Sequence, residues 1–532
     1  MGDSYAELPY VSHCHPHANI DKLCAMGRLF GLPTASARSC RVLELGCASG
    51  GNLLPLAERW PDSEFVGVER SAAQLGRARD LAAELGLTNV ELLELDIRGL
   101  EPGKLGHFDY IICHGVFSWV PAEVQDRILA LLPELLSPRG LALVSYNVYP
   151  GWHMREMVRE LMVFRARTEQ DAPAQVRAAR AAVELVCDAV AARREHIGAE
   201  APGLYEQSLA REREVVRRVP DAFLCHEHLE QDNTPMLFHQ FVARAEARGI
   251  AYVGDAALET MVTRDLPEAT IQQLRTLAGD RIAFEQYLDF VRNRELRNSV
   301  LCRADAQPRV DFDPQAVIRL RFAQHSRPVE TLTRESFGPG VALTFPLHGS
   351  IDERTAIRVA DPLVKAALVE LCSRWPGSFA FAELEAAAHE RLHELGIEPP
   401  DNPAEALVGG LVECLVRGAI VTRVVDPPLA ATLERPRVSA FNRRKAKDEG
   451  WIAGGEHRLF MLDPTLVQLV PLLDGRSRAA VVEGLRGLVA RGKLAPSREG
   501  KPVHDPDELG VALEHFLQSS LRTLARLPAL IG

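Results

Sequence analysis

The run RVLELGCASGGNLLPLAE (Arg41–Glu58) limits what this 532-residue chain can fold into more than any other part of it. Val42, Leu43 and Leu45 read as a short buried strand. Gly46, Gly50 and Gly51 follow at once, a turn in which backbone can approach a ligand closely. Asn52–Glu58 then has the pattern of a helix whose free N-terminal amides face the same point. A dinucleotide-binding turn reads G-x-G-x-x-G, and a phosphate loop ends in Lys-Ser/Thr. Here Glu44 precedes the glycines, Cys47 and Ala48 stand between them, and no Lys follows. A carboxylate in that place repels a pyrophosphate. It suits a ligand with a cationic end, such as the methionyl part of S-adenosylmethionine.

Further strands follow at βαβ spacing. FVGVE (Phe65–Glu69) is the second, NVELLELD (Asn89–Asp96) the third, and FDYIICHGVFSWV (Phe108–Val120) begins as the fourth. LALVSYNVYPGWH (Leu141–His153) begins as the fifth, and helical patterns at Ala72–Leu85 and Pro121–Leu136 separate them. In an open parallel sheet ligands sit at the carboxyl ends of the strands, where this chain collects its unusual polar and aromatic residues. Two carboxylate oxygens let Glu69 take two ribose hydroxyls, and Asp96 can accept from an adenine amino group. The expected donor-binding set is Glu44, Gly46, Cys47, Ala48, Gly50, Asn52, Glu69, Asp96, Ile97 and His114. The expected catalytic set is His114, Tyr146, Asn147, Tyr149 and Trp152, with Phe117 and Trp119 completing an aromatic pocket. Cys47 and Cys113 also read as packing residues.

The runs VLELGCASGGNLLPLA, FDYIICHGVFSWVP and LALVSYNVYPGWHMREMVRE resemble the class I methyltransferases that carry a methyltransferase regulatory domain. Bacterial protein-lysine methyltransferases acting on outer-membrane proteins belong to that group. Phe223–Ala256 resembles the opening of the regulatory domain, Glu285–Arg303 its closing segment, and Pro471–Arg478 the family's C-terminal winged-helix-like region. The family's Thr/Ser-His-Pro-Asp-Arg-Leu run is represented by ANIDKL (Ala18–Leu23), which keeps Asp21 and Leu23. Phe117 and Glu69 stand where Tyr and Asp are usual.

The resemblance implies methyl transfer to lysine side chains of a protein. The residues leave two alternatives open, a small-molecule or carrier-bound natural-product methyltransferase and a donor-binding regulatory scaffold. Methyl transfer is an in-line substitution, so the protein must mainly align the nucleophile and exclude water. A lysine acceptor must first lose its proton, which a dry aromatic pocket favours. The rings there can also hold a cationic product. His114 is the candidate proton acceptor, and Asn147 would orient the amine.

A net charge of −11 argues against a broad nucleic-acid footprint. The ten cysteines form no C-x-x-C pair, which fits free thiols in a reducing cytoplasm. No signal pattern and no apolar run of membrane-spanning length is read in the sequence. The His13–His17 cluster HCHPH and the Cys225–His228 cluster CHEH lack the spacing of strong zinc motifs, so no metal is expected. They read instead as hydrogen-bonding edges near the active site, with His226 and His228 on one face of a strand.

The expected fold class is α/β, a Rossmann-like methyltransferase sheet with a helical insertion, followed by mostly helical winged-helix-like C-terminal domains. The expected units are a donor-binding domain over 1–153 and a helical insertion over 154–216, favoured as a homodimer contact. A regulatory domain over 217–330 and winged-helix-like domains over 340–430 and 431–532 follow. Phe223–Leu229 and Ile250–Ala256 are expected as the two strands that complete the first sheet, around a helix over Phe238–Arg248. Arg264–Asn298 reads as amphipathic helix, the run Arg327–Ser350 as a boundary, and Leu462–Gly475 as one helix. From Ile351 to Val425 the expected order is strand, three helices and a wing-like strand.

Overall fold

A computed structural model of the chain describes residues 7–263, 265–347, 356–426, 433–495, 497–498, 501–502, 505–527 and 529–531. Arg264, Ser350 and Ile351, which end three of the expected segments, lie outside these residues. Seven strands form the main sheet: β1 (Arg41–Leu45), β2 (Glu64–Glu69), β3 (Val90–Glu94), β4 (Phe108–Cys113), β5 (Leu136–Asn147), β6 (Ile250–Asp255) and β7 (Leu296–Arg303). Their order is β3-β2-β1-β4-β5-β7-β6. The first five are parallel, and β7 runs antiparallel to both β5 and β6. β6 therefore points the same way as β5, and all the parallel strands end at one edge.

One expected strand and the end of one expected helix differ in the structure. Asp221–Leu224 is α-helical and Cys225–Leu229 continues as a π-helical turn, not a strand. Pro220 and Asp221 supply a helix start, and His226 pairs with Glu230 four residues on, a contact of helical spacing. The strand that accompanies β6 is β7, which arises inside and beyond the segment read as continuous helix. Both faces of β7 are covered, so it shows no alternation to read.

Helices α1 (Ile20–Leu29), α2 (Leu53–Arg59), α3 (Ala72–Glu84) and α4 (Ala122–Leu135) surround the first five strands. Three charged helices follow, α5 (Gly151–Ala166), α6 (Ala172–His196) and α7 (Leu204–Arg218). They bury an apolar core of their own that includes Val158, Met162, Val176, Val183, Leu209 and Val216. Helix α8 (Phe238–Glu246) leads into β6. Between β6 and β7 lie α9 (Glu268–Ala278) and α10 (Arg281–Arg292), separated at Gly279, whose positive φ ends the first of them.

One sheet face packs on α4 and α8: Leu43, Ile111, Val144 and Leu301 meet Ile128, Leu132 and Phe241. The other face is covered by α1, and beyond it lies a second layer. There β8 (Arg321–Ala323) joins a small sheet, and β9 (Leu343–Pro346) pairs with β10 (Ala356–Val359). Helix α11 (Pro362–Arg374), strand β11 (Phe379–Ala380), helices α12 (Phe381–Glu394) and α13 (Pro403–Val416), and strand β12 (Val421–Arg423) complete that layer. Leu23 and Leu29 of α1 share one continuous core with Val42 and Tyr110 of the sheet and with Leu363, Leu368 and Leu411 of the layer. Asp21, at the start of α1, accepts from the backbone N–H groups of Val424 and Val425 at 3.1 Å each.

The last unit has a separate core that includes Val438, Leu469, Leu485, Leu517 and Leu521. It contains α14 (Ala440–Glu449), the hairpin β13 (Trp451–Ala453) and β14 (Leu459–Met461), α15 (Arg478–Ala490) and α16 (Pro506–Arg526). The single helix expected over Leu462–Gly475 is a short helix, Pro464–Leu469, followed by a 3-10 turn, Val470–Leu472. Pro471 cannot donate the next helical hydrogen bond, and its ring disfavours a continued α-helix.

This unit is fastened to the main sheet. Glu58 of α2 accepts from Ala440 N at 2.7 Å and from Phe441 N at 3.2 Å, where an acidic side chain complements the start of α14. Among the described residues no helix is long and apolar enough to cross a membrane.

Candidate active site

The glycine loop sits at the carboxyl end of β1 and is pinned to β2. Gly46 N and Cys47 N both donate to Val68 O, at 2.8 and 3.0 Å. Gly46 has φ +74°, and a Cβ there would lie 2.5 Å from Val116 Cγ2. Glycine alone is free of both penalties. Ala48 takes a left-handed conformation as well, φ 47°, and donates its N–H to Glu69 Oε2 at 3.1 Å. Ser71 N donates to Glu69 Oε1 at 2.8 Å. Both carboxylate oxygens of Glu69 are thus oriented by backbone, and each keeps acceptor capacity for a further donor.

Glu44 lies beneath the loop. Its Oε1 accepts from Asn52 Nδ2 at 3.0 Å, while its Oε2 is buried without a hydrogen-bond partner. Burial pushes the carboxyl up to about 8, against the opposing effect of the Asn52 bond. Cys47 and Cys113 are buried thiols, Cys113 raised to about 12 by burial, so both are packing groups rather than nucleophiles. Gly50 N closes the turn on Cys47 O at 2.9 Å.

Asp96 and Ile97 follow β3. Ile97 is buried, whereas Asp96 is half-buried and engaged: it caps the next turn through Arg98 N at 2.8 Å and pairs with the Arg98 guanidinium at 2.7 Å. Those bonds hold its carboxyl down at about 2. The acceptor expected for adenine is therefore committed to an arginine in this structure.

An N-terminal stretch that the sequence marked only as a histidine cluster crosses the loop. Ser12 Oγ accepts from Gly51 N at 2.8 Å, and a Cβ on Gly51 would fall 2.1 Å from Ser12 O. His15 stacks on His114 with ring centroids 3.8 Å apart, and His13 lies 4.6 Å from His15. Burial, with His13 nearby, lowers His114 to about 4, so at neutral pH its ring is uncharged and has a lone pair to offer. The other cluster is also in place, but differently from its expected strand geometry: His226 bridges Leu8 O at 2.6 Å and Glu230 at 3.0 Å. Among the described residues no group of His, Cys, Asp and Glu has the arrangement of a metal site.

The segment after β4 is tied to β5, since Gly115 N donates to Ser145 Oγ at 2.7 Å and Asn147 N to Ser118 Oγ at 2.9 Å. Asn147 Nδ2 donates to Asn233 Oδ1 at 2.9 Å, and Asn233 Nδ2 is buried without a partner. Trp119 and Trp152 meet edge to face at 5.7 Å. Tyr149 stacks on His153 at 4.0 Å and donates its hydroxyl to Glu156 at 2.8 Å.

Tyr146 is corrected from the catalytic set. Its ring is 1% exposed and stacked on Phe241, its hydroxyl bonds Ser299 Oγ at 2.9 Å, and Phe117 packs beside it, fully buried. Alternation along β5 sends Tyr146 to the α8 face, opposite to its neighbours. Asn233, Ser12, His15 and His457 were not singled out individually from the sequence. The last lies 405 residues from its partner Asn52, a separation at which no local pattern exists to be read.

Comparison with known proteins bears on this geometry. A methyltransferase-domain family model matches residues 36–208, a predicted methyltransferase regulatory domain matches 220–303, and the PKMT C-terminal winged helix domain matches 434–528. The uncharacterized protein RP028 of Rickettsia prowazekii is 34% identical over 245 residues, which are 46% of this chain and 94% of that protein. The chain belongs to the class I S-adenosylmethionine-dependent methyltransferases that carry a regulatory domain.

Two longer likenesses accompany that membership. RP789 of the same organism is 28% identical over 514 residues, covering 96% of this chain and 90% of that one. The structure of PKMT2 from Rickettsia typhi in complex with AdoHcy has a TM-score of 0.85 at 26% identity, covering 98% of this chain and 100% of that chain. The residues present fit such a donor in kind: Glu44 Oε2 is a buried acceptor without a partner, Glu69 is held by backbone N–H groups with acceptor capacity to spare, and the Gly46 turn leaves free the space a Cβ would fill.

Proposed function

We propose that this methyltransferase transfers methyl groups to lysine side chains of a protein substrate. The observation that carries the reading is the likeness to PKMT2, a protein lysine methyltransferase, which covers 98% of this chain and so takes in the second layer and the C-terminal unit outside the catalytic sheet. A small acceptor would not require those layers.

Bound S-adenosylmethionine supplies a sulfonium methyl already activated for in-line displacement. Glu44, the Gly46–Asn52 turn and Glu69 hold the donor. Trp119, Trp152 and Tyr149 form the walls that exclude water and disfavour the charged form of an incoming amine. His114, neutral and half-buried, accepts the proton that the amine must lose, and Asn147 with Asn233 orients the nitrogen.

We also propose a homodimer built through α5–α7. Phe164, Leu185, Leu204 and Tyr205 on these helices are exposed, Leu204 at 83%, apolar surface of a kind that marks protein contacts. Charged substitutions at Leu204 and Tyr205 should yield a monomer by light scattering; an unchanged dimer would remove this placement. The ten free cysteines, mostly buried, support action in the cytoplasm.

The test of the main reading is transfer of labelled methyl from the donor to protein, recovered as methyl-lysine. Label confined to small molecules would favour the natural-product alternative.

A further inference from the structure

The turn between β13 and β14 belongs to the C-terminal unit, yet its tip is buried against the donor loop. Arg59 of α2 donates to the carbonyls of Gly454, at 3.0 Å, and Gly455. Arg423 of β12 pairs with Glu456 in the same turn. The next residue, His457, is 1% exposed and has φ +57°, a conformation an L-residue with a bulky side chain keeps only where its surroundings enforce it.

Its Nε2 lies 2.8 Å from Asn52 Oδ1. Asn52 Oδ1 also receives the His15 backbone N–H at 3.2 Å, and Asn52 Nδ2 donates to Glu44 Oε1 at 3.0 Å. The His15 N–H can only donate, which settles which end of the amide is oxygen, so the hydrogen in the His457 contact must be carried by Nε2. Burial holds His457 well below its usual range, which keeps the ring neutral and able to present that single tautomer.

We infer that His457 is a positioning residue of the donor site, fixing Asn52 so that its amide holds Glu44 and leaves Glu44 Oε2 for the donor. The seat of the C-terminal unit thereby sets donor affinity, although that unit lies outside the catalytic sheet. This rests on the glycine loop being the donor site, a reading that binding of S-adenosylhomocysteine to the wild-type protein tests by itself.

The test compares full-length wild type, His457→Phe and His457→Gln. Phenylalanine fills the space without a donor, while the glutamine amide restores an N–H near Nε2. Calorimetric affinity for S-adenosylhomocysteine should fall about tenfold in His457→Phe and return to within about threefold of wild type in His457→Gln. In steady state the loss should fall on the KM for the donor rather than on kcat. A double-mutant cycle with Asn52→Ala should be non-additive. If His457→Phe does not fold, His457→Asn, whose amide is too short to reach Asn52, takes its place with the same expectation. Wild-type affinity in His457→Phe, equal weakness in His457→Gln, or additivity with Asn52→Ala would overturn the inference. Failure of the wild type to bind the probe would overturn the donor-site reading instead.

Discussion

Asn52 Nδ2 donates to Glu44 Oε1 at 3.0 Å, while Glu44 Oε2, in the same buried carboxyl, has no partner. Burial keeps that carboxyl protonated at neutral pH, its pKa pushed up to about 8. A methionyl ammonium beside it favours the ionised form and drives the proton off. Calorimetry at pH 7 in buffers of differing ionisation enthalpy should therefore show net proton release on donor binding. Glu44→Gln should abolish the release and weaken binding by about 10- to 100-fold, the cost of losing one charge-assisted contact.

Gly46→Ala is expected to lose donor binding while leaving the sheet folded. The added Cβ meets Val116 Cγ2 at 2.5 Å in a left-handed conformation, and relief requires the loop to shift away from its bonds to Val68 O. Circular dichroism should be unchanged and donor affinity undetectable.

The sheet edge contains a buried ion cluster in which Arg297 binds Asp289 at 2.8 Å and Glu285 at 2.9 Å, all three almost fully buried, with Tyr252 donating to Glu285 at 2.8 Å. Arg297→Met leaves two carboxyls without their main cation. Unfolding by urea should show a loss of about 3–5 kcal/mol. Donor affinity of the fraction that remains folded should not change.

Asp21 has its carboxyl raised to about 7, chiefly by burial, despite the two backbone N–H groups it accepts. The folded state thus holds this proton more tightly than the unfolded chain does. The contribution to stability is full below the unfolded value near 3.8 and is lost as pH rises through 7. Asp21→Asn should flatten this part of the profile. Relative to the variant, the wild type should lose melting temperature between pH 5 and pH 8.

The strand–glycine–helix unit at Arg41–Glu58 was legible because its chemistry is local: an apolar run, a turn and a helix start in one stretch of chain. The strands through β5 were legible for the same reason, each ending beside a polar or aromatic residue. Strand β7 was not, because with both faces covered its residues follow no period, and the helical pattern of α10 runs almost up to it. Phe223–Leu229 reads as a short strand with His226 and His228 on one face, but the chain there is helical, and His226 bonds Leu8 O and Glu230. Tyr146 was misplaced because a residue's face depends on strand register, which composition does not show. Asn52 was readable as the end of the glycine turn, whereas its link to His457 was not, since that contact exists only after the C-terminal unit has docked.

The most direct test of the central claim is incubation of the full-length protein with methyl-labelled S-adenosylmethionine and a lysate fractionated into proteins and small molecules. Label is expected in protein, stable to mild base and recovered as methyl-lysine, and is expected to be lost in Gly46→Ala. Label found only in the small-molecule fraction, or donor bound without any transfer, would contradict that claim.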